Sequence, residues 1–526
     1  MSIDGVSGRT SYIGSGILNL RSQLDSLTEQ LASGKIATTY AGQGSGRSLA
    51  LGIRAQLNAY SSYADTATNV NTRINVANLS LQRLVAINSD VKGAAVSAGS
   101  TIDNTGQTAG QKTANLDFFD SVDMLNAQSG DRYLFGGRIT DAAPVAAADQ
   151  ILNGNGAAIA GLKQVISERK LADLGVNANG RVGSAVGVLP AAPPTSVSVT
   201  EEELTAPAPA TAQPFGMKVS AVSTNIVGAT VTQPSVPVSP APAAQKAMSV
   251  DLGATLPKEG DTIKFTFKMP DGTSEDIVMT ATTTLKTPMD ANTFLIGADT
   301  AATAANLNTE LGKSMTQLAN GAMAAASAVQ AGQNFFDDPP QRVGGAPNFG
   351  ASTTLVDGSA ADTVIWYTGE TEAPPPAPAD PARGTAVARI DDAITVRYGA
   401  RANEQALRTQ LQNVAVFAAV TTNVSDVNAN GKIAALNQRI AQNLAVIPGT
   451  QTIQDIQADF AGAQSSIKAT TDRQAQSKVI SQTMLDSIEG INNDEVATKI
   501  LALQTALQAS YQTTSDLYKM SLVKFL

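Results

Sequence analysis

The side chains that could do chemistry in this chain of 526 residues are few, because it contains no cysteine and no histidine. That removes disulfides, thiolate nucleophiles, the usual zinc ligand sets and any imidazole acid or base. Two acidic pairs remain, Asp337-Asp338 and Asp391-Asp392, and paired carboxylates can hold a cation or divide acid and base roles. Neither pair sits in a spaced ligand pattern, and adjacent acids in loops are mostly solvated turns. The run GQGSGR at 42–47 could offer backbone amides to a phosphate at a helix N-terminus. It follows a helix rather than a strand and lacks a Lys-Ser or Lys-Thr pair, so a flexible connection is expected. Trp366 with Tyr367 could stack a sugar ring, although a lone aromatic pair on a strand is more often core. Asn78-Leu79-Ser80 and Asn423-Val424-Ser425 fit a glycan-acceptor pattern too common to decide anything. The expectation is a non-enzymatic chain with no catalytic residue, no cofactor and no metal site.

Spacing is more informative at the two ends. Asn492 with Glu495 three residues on gives a capping-box-like start. Val496, Ile500, Leu503 and Leu507 then recur at steps of four and three, and the stripe continues through Ser510, Thr514 and Leu517. A second stripe, Tyr511, Tyr518, Leu522 and Phe525, flanks the first. At the other end Ile17, Leu20, Leu24, Leu27 and Leu31 step by three and four, with Gly34 as the stop. One narrow apolar stripe on an isolated helix needs a partner. The two ends are expected to supply that partner to each other, leaving the Tyr511 stripe for partners outside the chain. An ordinary intrachain bundle has the same periodicity.

The elements between these ends follow a pattern. A long helix is predicted from the glycine-rich loop to about Val96, with Ile53, Tyr60, Tyr63, Ala67, Val70, Ile74, Ala77, Leu81, Leu84 and Val91 in a heptad-like series interrupted by Gln56 and Asn88. A third helix is predicted over Gln111–Ser129 with Phe118, Val122 and Leu125 on one face, then DRYLFGG as an extended piece with a Gly136-Gly137 turn. Beyond Thr140 come a short helix at Leu162–Leu174 and Ala-Pro stretches at Leu189–Pro194, Ala206–Pro209 and Pro234–Pro242, read as linkers. Ile263, Phe265, Phe267 and Met269, then PDG, then Ile277–Met279 predict a hairpin. A helix over Ala301–Phe335 and strands at Val364–Tyr367 and Ala386–Tyr398 flank the run Pro374–Pro381. Helical spacing returns with Leu407, Leu411, Val414 and Phe417, then Ile453, Ile456, Phe460, Ala463 and Ile467.

The fold class expected is mainly α with an inserted α+β region: a discontinuous long-helix, coiled-coil rod from both termini, with variable outer domains from the middle. The divisions are 1–45 with 485–526 as terminal assembly helices, 46–145 with 395–484 as the helical rod, and 146–394 as the outward-facing insertion. Lys plus Arg is 36 against Asp plus Glu at 45, a net of −9, and no basic patch offsets it, so nucleic acid is not an expected partner. Aromatics at 4% suit long helices and wetted interfaces more than large globular cores. The start MSIDGVSGRTSYIGSGILNL lacks the pattern of a secretory signal, and no window approaches the roughly 18 apolar residues of a membrane span.

The segments LTEQLASGK at 27–35, DRYLFGGRITDAAPV at 131–145 and QTALQASYQTTSDLYKMSLVKFL at 504–526 resemble the bacterial flagellin family, which includes the hook-associated junction protein. The similarity covers roughly 1–145 and 395–526. It departs after LASGK, where IATTYAGQGSGR replaces an acidic, proline- or alanine-containing segment. The resemblance implies a structural subunit of the extracellular flagellum that serves motility, exported unfolded by the flagellar type III apparatus and polymerised through its terminal helices. It implies as partners further copies of the chain, hook-associated and cap proteins, the export apparatus and an export chaperone, with no membrane insertion. A junction protein of the same family, forming a thin layer between hook and filament, is the alternative. A secreted adhesin or enzyme on a helical stalk, binding through the Trp366 region, is the distant one.

Overall fold

A computed structural model describes residues 4–97, 99, 101–156, 158–187, 192–205, 213–235, 244–371 and 381–523. Of the predicted linkers, 189–191, 206–209 and 236–242, with 374–380 of the proline-rich run, lie outside the described residues, whereas Pro234 and Ser235 end a strand. About 53% of the chain is helical and several sheets accompany the helices, so the protein is a mixed α and β structure. Among the described residues the helices are α1 (Asp4–Ser33), α2 (Arg47–Ser97), α3 (Ala109–Leu125), α4 (Ala148–Asn153), α5 (Leu162–Leu174), α6 (Thr300–Leu318), α7 (Ala324–Phe335), α8 (Gln405–Ala419), α9 (Ala429–Asn443), α10 (Ile453–Glu489) and α11 (Asn493–Val523). The chain divides into two compact units, both discontinuous: 1–71 with 388–396 and 462–526, and 72–387 with 397–461.

In the first unit α1 packs along α11, and the start of α2 meets the end of α10 through Ala50, Ile53 and Leu485, with Leu57 and Ile488 against them. Ile53, Ala67, Val70, Ile74, Ala77, Leu81, Leu84 and Val91 of the predicted α2 series are buried, and Tyr60 and Tyr63 half-buried. The predicted interruptions resolve simply. Gln56 faces solvent while Leu57 takes the inward place, and Ile87 rather than Asn88 carries the stripe forward.

The second unit holds the strands β1 (Gln128–Ser129), β2 (Arg132–Tyr133), β3 (Val182–Val186), β4 (Ser196–Thr205), β5 (Lys218–Thr224), β6 (Thr230–Ser235), β7 (Ala244–Asp251), β8 (Thr262–Lys268), β9 (Ser274–Thr282), β10 (Thr293–Leu295), β11 (Gln341–Val343) and β12 (Leu355–Asp357). Two four-stranded sheets, ordered β3-β4-β7-β6 and β10-β9-β8-β5, share one core with α6. The β8–β9 hairpin pairs Phe265 with Ile277 and Ile263 with Met279, and its alternate residues are buried as a period of two requires. Arg439 of α9, itself buried, pins the hairpin tip through Asp271 at 2.7 Å and Glu275 at 2.9 Å.

Helix α3 begins in a full capping box, Thr108 with Gln111, and Gln111 also donates to the carbonyls of Phe417 and Val420. Its Phe118, Val122 and Leu125 are buried as predicted, but the helix stops at Leu125, where β1 and β2 turn about Gly130. The predicted helix over Ala301–Phe335 is broken by a π-helical turn at Ala319–Met323 that packs against α9. Val364–Tyr367 forms no strand of its own; Thr363 and Tyr367 make single bridges to Ala160 and Val145. Over Ala386–Tyr398 the chain instead forms two short strands, β13 (Val387–Arg389) and β14 (Thr395–Arg397).

Candidate assembly interface

Each terminal helix buries part of one apolar stripe. On α1, Ile17, Leu20, Leu24 and Leu27 are half-buried, while Leu31 at the end of the stripe remains 41% exposed. On α11, Val496 and Leu507 are buried, and Ile500, Leu503, Ser510 and Thr514 half-buried. The stripe does not reach as far as its spacing suggests, since Leu517 is exposed. The start of α11 matches the sequence reading in part: Asn492 Oδ1 accepts the N–H groups of Asp494 and Glu495, but the Glu495 carboxylate turns outward to Lys499.

The second stripe behaves differently. Tyr511 is 52% and Tyr518 63% exposed, and Leu501 with Tyr12 and Leu18 of α1 add further exposed apolar side chains. The Leu522 side chain and the whole of Phe525 lie outside the described residues. So the helix pair covers one seam internally and turns another to solvent.

At its base the pair is held by a clasp that periodicity alone does not reveal. Lys35 bridges Gly490 in antiparallel fashion, with the Ile36 N–H donating to the Glu489 carbonyl at 2.8 Å and the Ile491 N–H to Gly34 at 3.2 Å. The Glu489 carboxylate is buried and accepts from Arg54 Nη2 at 2.6 Å, Arg54 Nε at 3.0 Å and Gln43 Nε2 at 3.1 Å, with Lys35 Nζ at 3.6 Å. The Arg54 hydrogen bond, then that from Gln43, hold its pKa below the ordinary carboxylate value despite burial. One side chain therefore ties the end of α1, the turn before α2, α2 itself and the α10–α11 junction.

Two glycines make room for the clasp. A Cβ at Gly490 would run into the carbonyl oxygen of Asp486, and one at Gly46 would lie 2.9 Å from Ile488. Residues 42–46 of the glycine-rich run lie in a 3-10 turn (Tyr40–Gly46) packed close to α10, and the Gln43 side chain donates to Glu489. The signal for Glu489 is present in the sequence: it follows Ser481 and Leu485 at steps of four along the buried stripe of α10, where a charge needs a partner.

The other chemical candidates are structural. Asp391 pairs with Arg473, which lowers its pKa, and Asp392 accepts from the Tyr63 hydroxyl at 2.9 Å, so this acid pair anchors its loop to α2 and α10. Asp337 lies 3.8 Å from Arg408 in an exposed turn. Trp366 is 2% exposed, with Phe336 at 5.1 Å and Tyr367 at 5.5 Å between ring centroids; it belongs to a core and presents no face to a sugar. The Asn78 pattern sits within α2 with Ser80 buried, whereas Asn423 lies in an exposed turn. No group of three or more acids that could hold a metal ion occurs among the described residues, and no described helix is long and apolar enough to cross a membrane. Searches against known protein families and curated proteins find no match for this chain.

Proposed function

We propose that the chain is a structural subunit that polymerises through its terminal helices into a bacterial flagellar filament, outside the cell, after export in an unfolded state. The observation that carries this reading is the two-sided character of α11. Val496 and Leu507 are buried and Ile500 and Leu503 half-buried on a helix that packs along α1, while Tyr511 and Tyr518, on the flank of that stripe, stay open. A helix pair satisfied on one side and apolar on another suits a head-to-tail contact whose repetition gives an open helical array. The resemblance of the two chain ends to the flagellin family supports the same reading and extends the partners to hook-associated and cap proteins, the export apparatus and a chaperone. On this reading the ends form an inner tube, α2 and α10 the surrounding rod, and the sheet-bearing middle the outward domain.

The junction protein of the same family is the second reading, favoured by DRYLFGGRITDAAPV at 131–145 and QTALQASY at 504–511. Abundance in sheared filaments separates the two: a major band supports the filament subunit, a trace band the junction. The assembly proposal itself is tested by deleting Asn492–Leu526 and following polymerisation by electron microscopy. The expected result is a soluble monomer that stays folded outside the terminal helix pair; filaments of normal morphology from the truncated chain would refute the seam.

A further inference from the structure

A second feature lies in the other compact unit, apart from the proposed seam residues. α2, α8 and the turn from α9 to α10 enclose a cleft of about 450 Å³, within the ~300–1,000 Å³ range of small-molecule sites. More of its wall is apolar than polar, with Val85, Leu444 and Ile453 among the lining residues, and the amide and hydroxyl groups set into it are Asn88 and Ser89 from α2, Gln405 and Thr409 from α8, Asn443 at the end of α9, and Thr450 in the turn. Its rim is apolar, with Val446 and Ile447 exposed beside the mouth.

The charge pattern selects a ligand class. In a chain of net charge −9 the lining contains no Asp or Glu, and its one charged group is Lys92. Lys92 makes no hydrogen bond or ion pair with the described residues, nor does the Thr409 hydroxyl. The acids on the flanking turns are engaged elsewhere: Glu404 with Arg383 and Gln451 Nε2, Asp455 with the N–H and hydroxyl of Thr452. One unpaired ammonium amid several amides matches a ligand with one negative charge and several hydroxyls. A single Lys holds a carboxylate as a point charge and leaves its orientation to the groups around it. The lining holds no aromatic side chain on which a nucleobase could stack.

The geometry points to a uronic-acid site: Lys92 takes the carboxylate, and the Thr409, Asn88 and Gln405 side chains take ring hydroxyls. The sugar acid arrives either free or as the end of an acidic polysaccharide. The test titrates the full-length chain with D-glucuronate, D-glucose and L-glutamate by calorimetry and saturation-transfer NMR. Glucuronate is expected to bind roughly tenfold more tightly than glucose, as about 1.4 kcal/mol for one charge contact implies, and glutamate more weakly than either.

Lys92→Met should bring glucuronate down to the level of glucose and leave glucose unchanged, Lys92→Arg should keep most of the difference, and Thr409→Val should weaken both sugars. Thermal melts matching the parent establish that each variant is folded, and the Thr409 variant stands alone should Lys92→Met not fold. Equal binding of glutamate and glucuronate, glucuronate binding that survives Lys92→Met, or no binding of any probe at about 10 mM overturns the assignment. A diuronate that binds at least as well as glucuronate assigns the site to polysaccharide ends, and one that is shut out assigns it to the free acid; either sustains the proposal.

Discussion

At the scale of residues, Glu489 is the group whose chemistry the first unit depends on. Its carboxylate is buried and its partners Arg54, Gln43 and Lys35 come from three different segments. Because its folded pKa lies below the ordinary 4.5, the unfolded chain binds the proton more readily, and stability must rise with pH in that range. The contribution is fully present above about pH 4.5 and is lost as pH falls through the lower, folded value. Glu489→Gln keeps the shape and removes the charge. A loss of about 1–2 kcal/mol is expected at neutral pH, discounted because Arg54 is partly solvated. The measurement is urea unfolding at pH 7 and at successively lower pH below about 4.5, where the gap between parent and variant should narrow; an unchanged gap would show that the charge is not the source. The acid pairs and Trp366, more conspicuous in the sequence, are spent on ion pairs and packing.

At the scale of elements, the inner stripe of α11 and its exposed flank make separable predictions. Leu507 is buried on the inner stripe, so Leu507→Ala should destabilise the helix pair by roughly 2–3 kcal/mol. Tyr511→Ser with Tyr518→Ser touches exposed positions and should leave the monomer within about 0.5 kcal/mol while abolishing assembly. A double variant that assembles normally would remove that face from the seam.

Deleting Asn492–Leu526 also tests the mutual dependence of α1 and α11. Without α11, the half-buried stripe of α1 loses its cover, and an isolated amphipathic helix is marginal in water. The fall in far-UV ellipticity should therefore be about twice that due to the deleted residues; a loss matching the deletion alone would show that α1 stands by itself.

These elements were legible because a period near 3.6 sustained over many residues, or near 2 across a hairpin, is set by local geometry. Helix α5 and the β8–β9 hairpin fall where spacing places them. The π-helical turn at Ala319–Met323 was missed although Asn320-Gly321 is a break signal, because the alanine-rich flanks read as one continuous helix and the distortion accompanies packing against α9. So was the clasp, since periodicity marks which face is buried but not which distant Arg meets a buried Glu.

At the scale of the whole molecule, the balance of charge against apolar surface decides how the proposed assembly should respond to its medium. The chain carries −9, whereas α11 carries three acids, Asp494, Glu495 and Asp516, against Lys499 and Lys519. Its ion pairs, Lys499–Glu495 and Lys519–Asp516, are local and exposed, so they cost little to screen. Stacking many copies brings like-charged bodies together while joining faces that are nearly neutral and apolar. Added salt shortens the Debye length from ~14 Å at about 0.05 M to ~4 Å at about 0.5 M, which weakens the repulsion and leaves the apolar contact intact. The critical concentration for polymerisation, measured by sedimentation, should therefore fall across that range, and fall further in sulfate than in chloride. A seam built from intersubunit ion pairs would give the reverse, with filaments dissolving as salt rises. The Tyr511→Ser, Tyr518→Ser variant distinguishes the two terms within one experiment: with the apolar face gone, removing the repulsion leaves nothing to hold the copies together, and it should stay in the supernatant at every salt concentration.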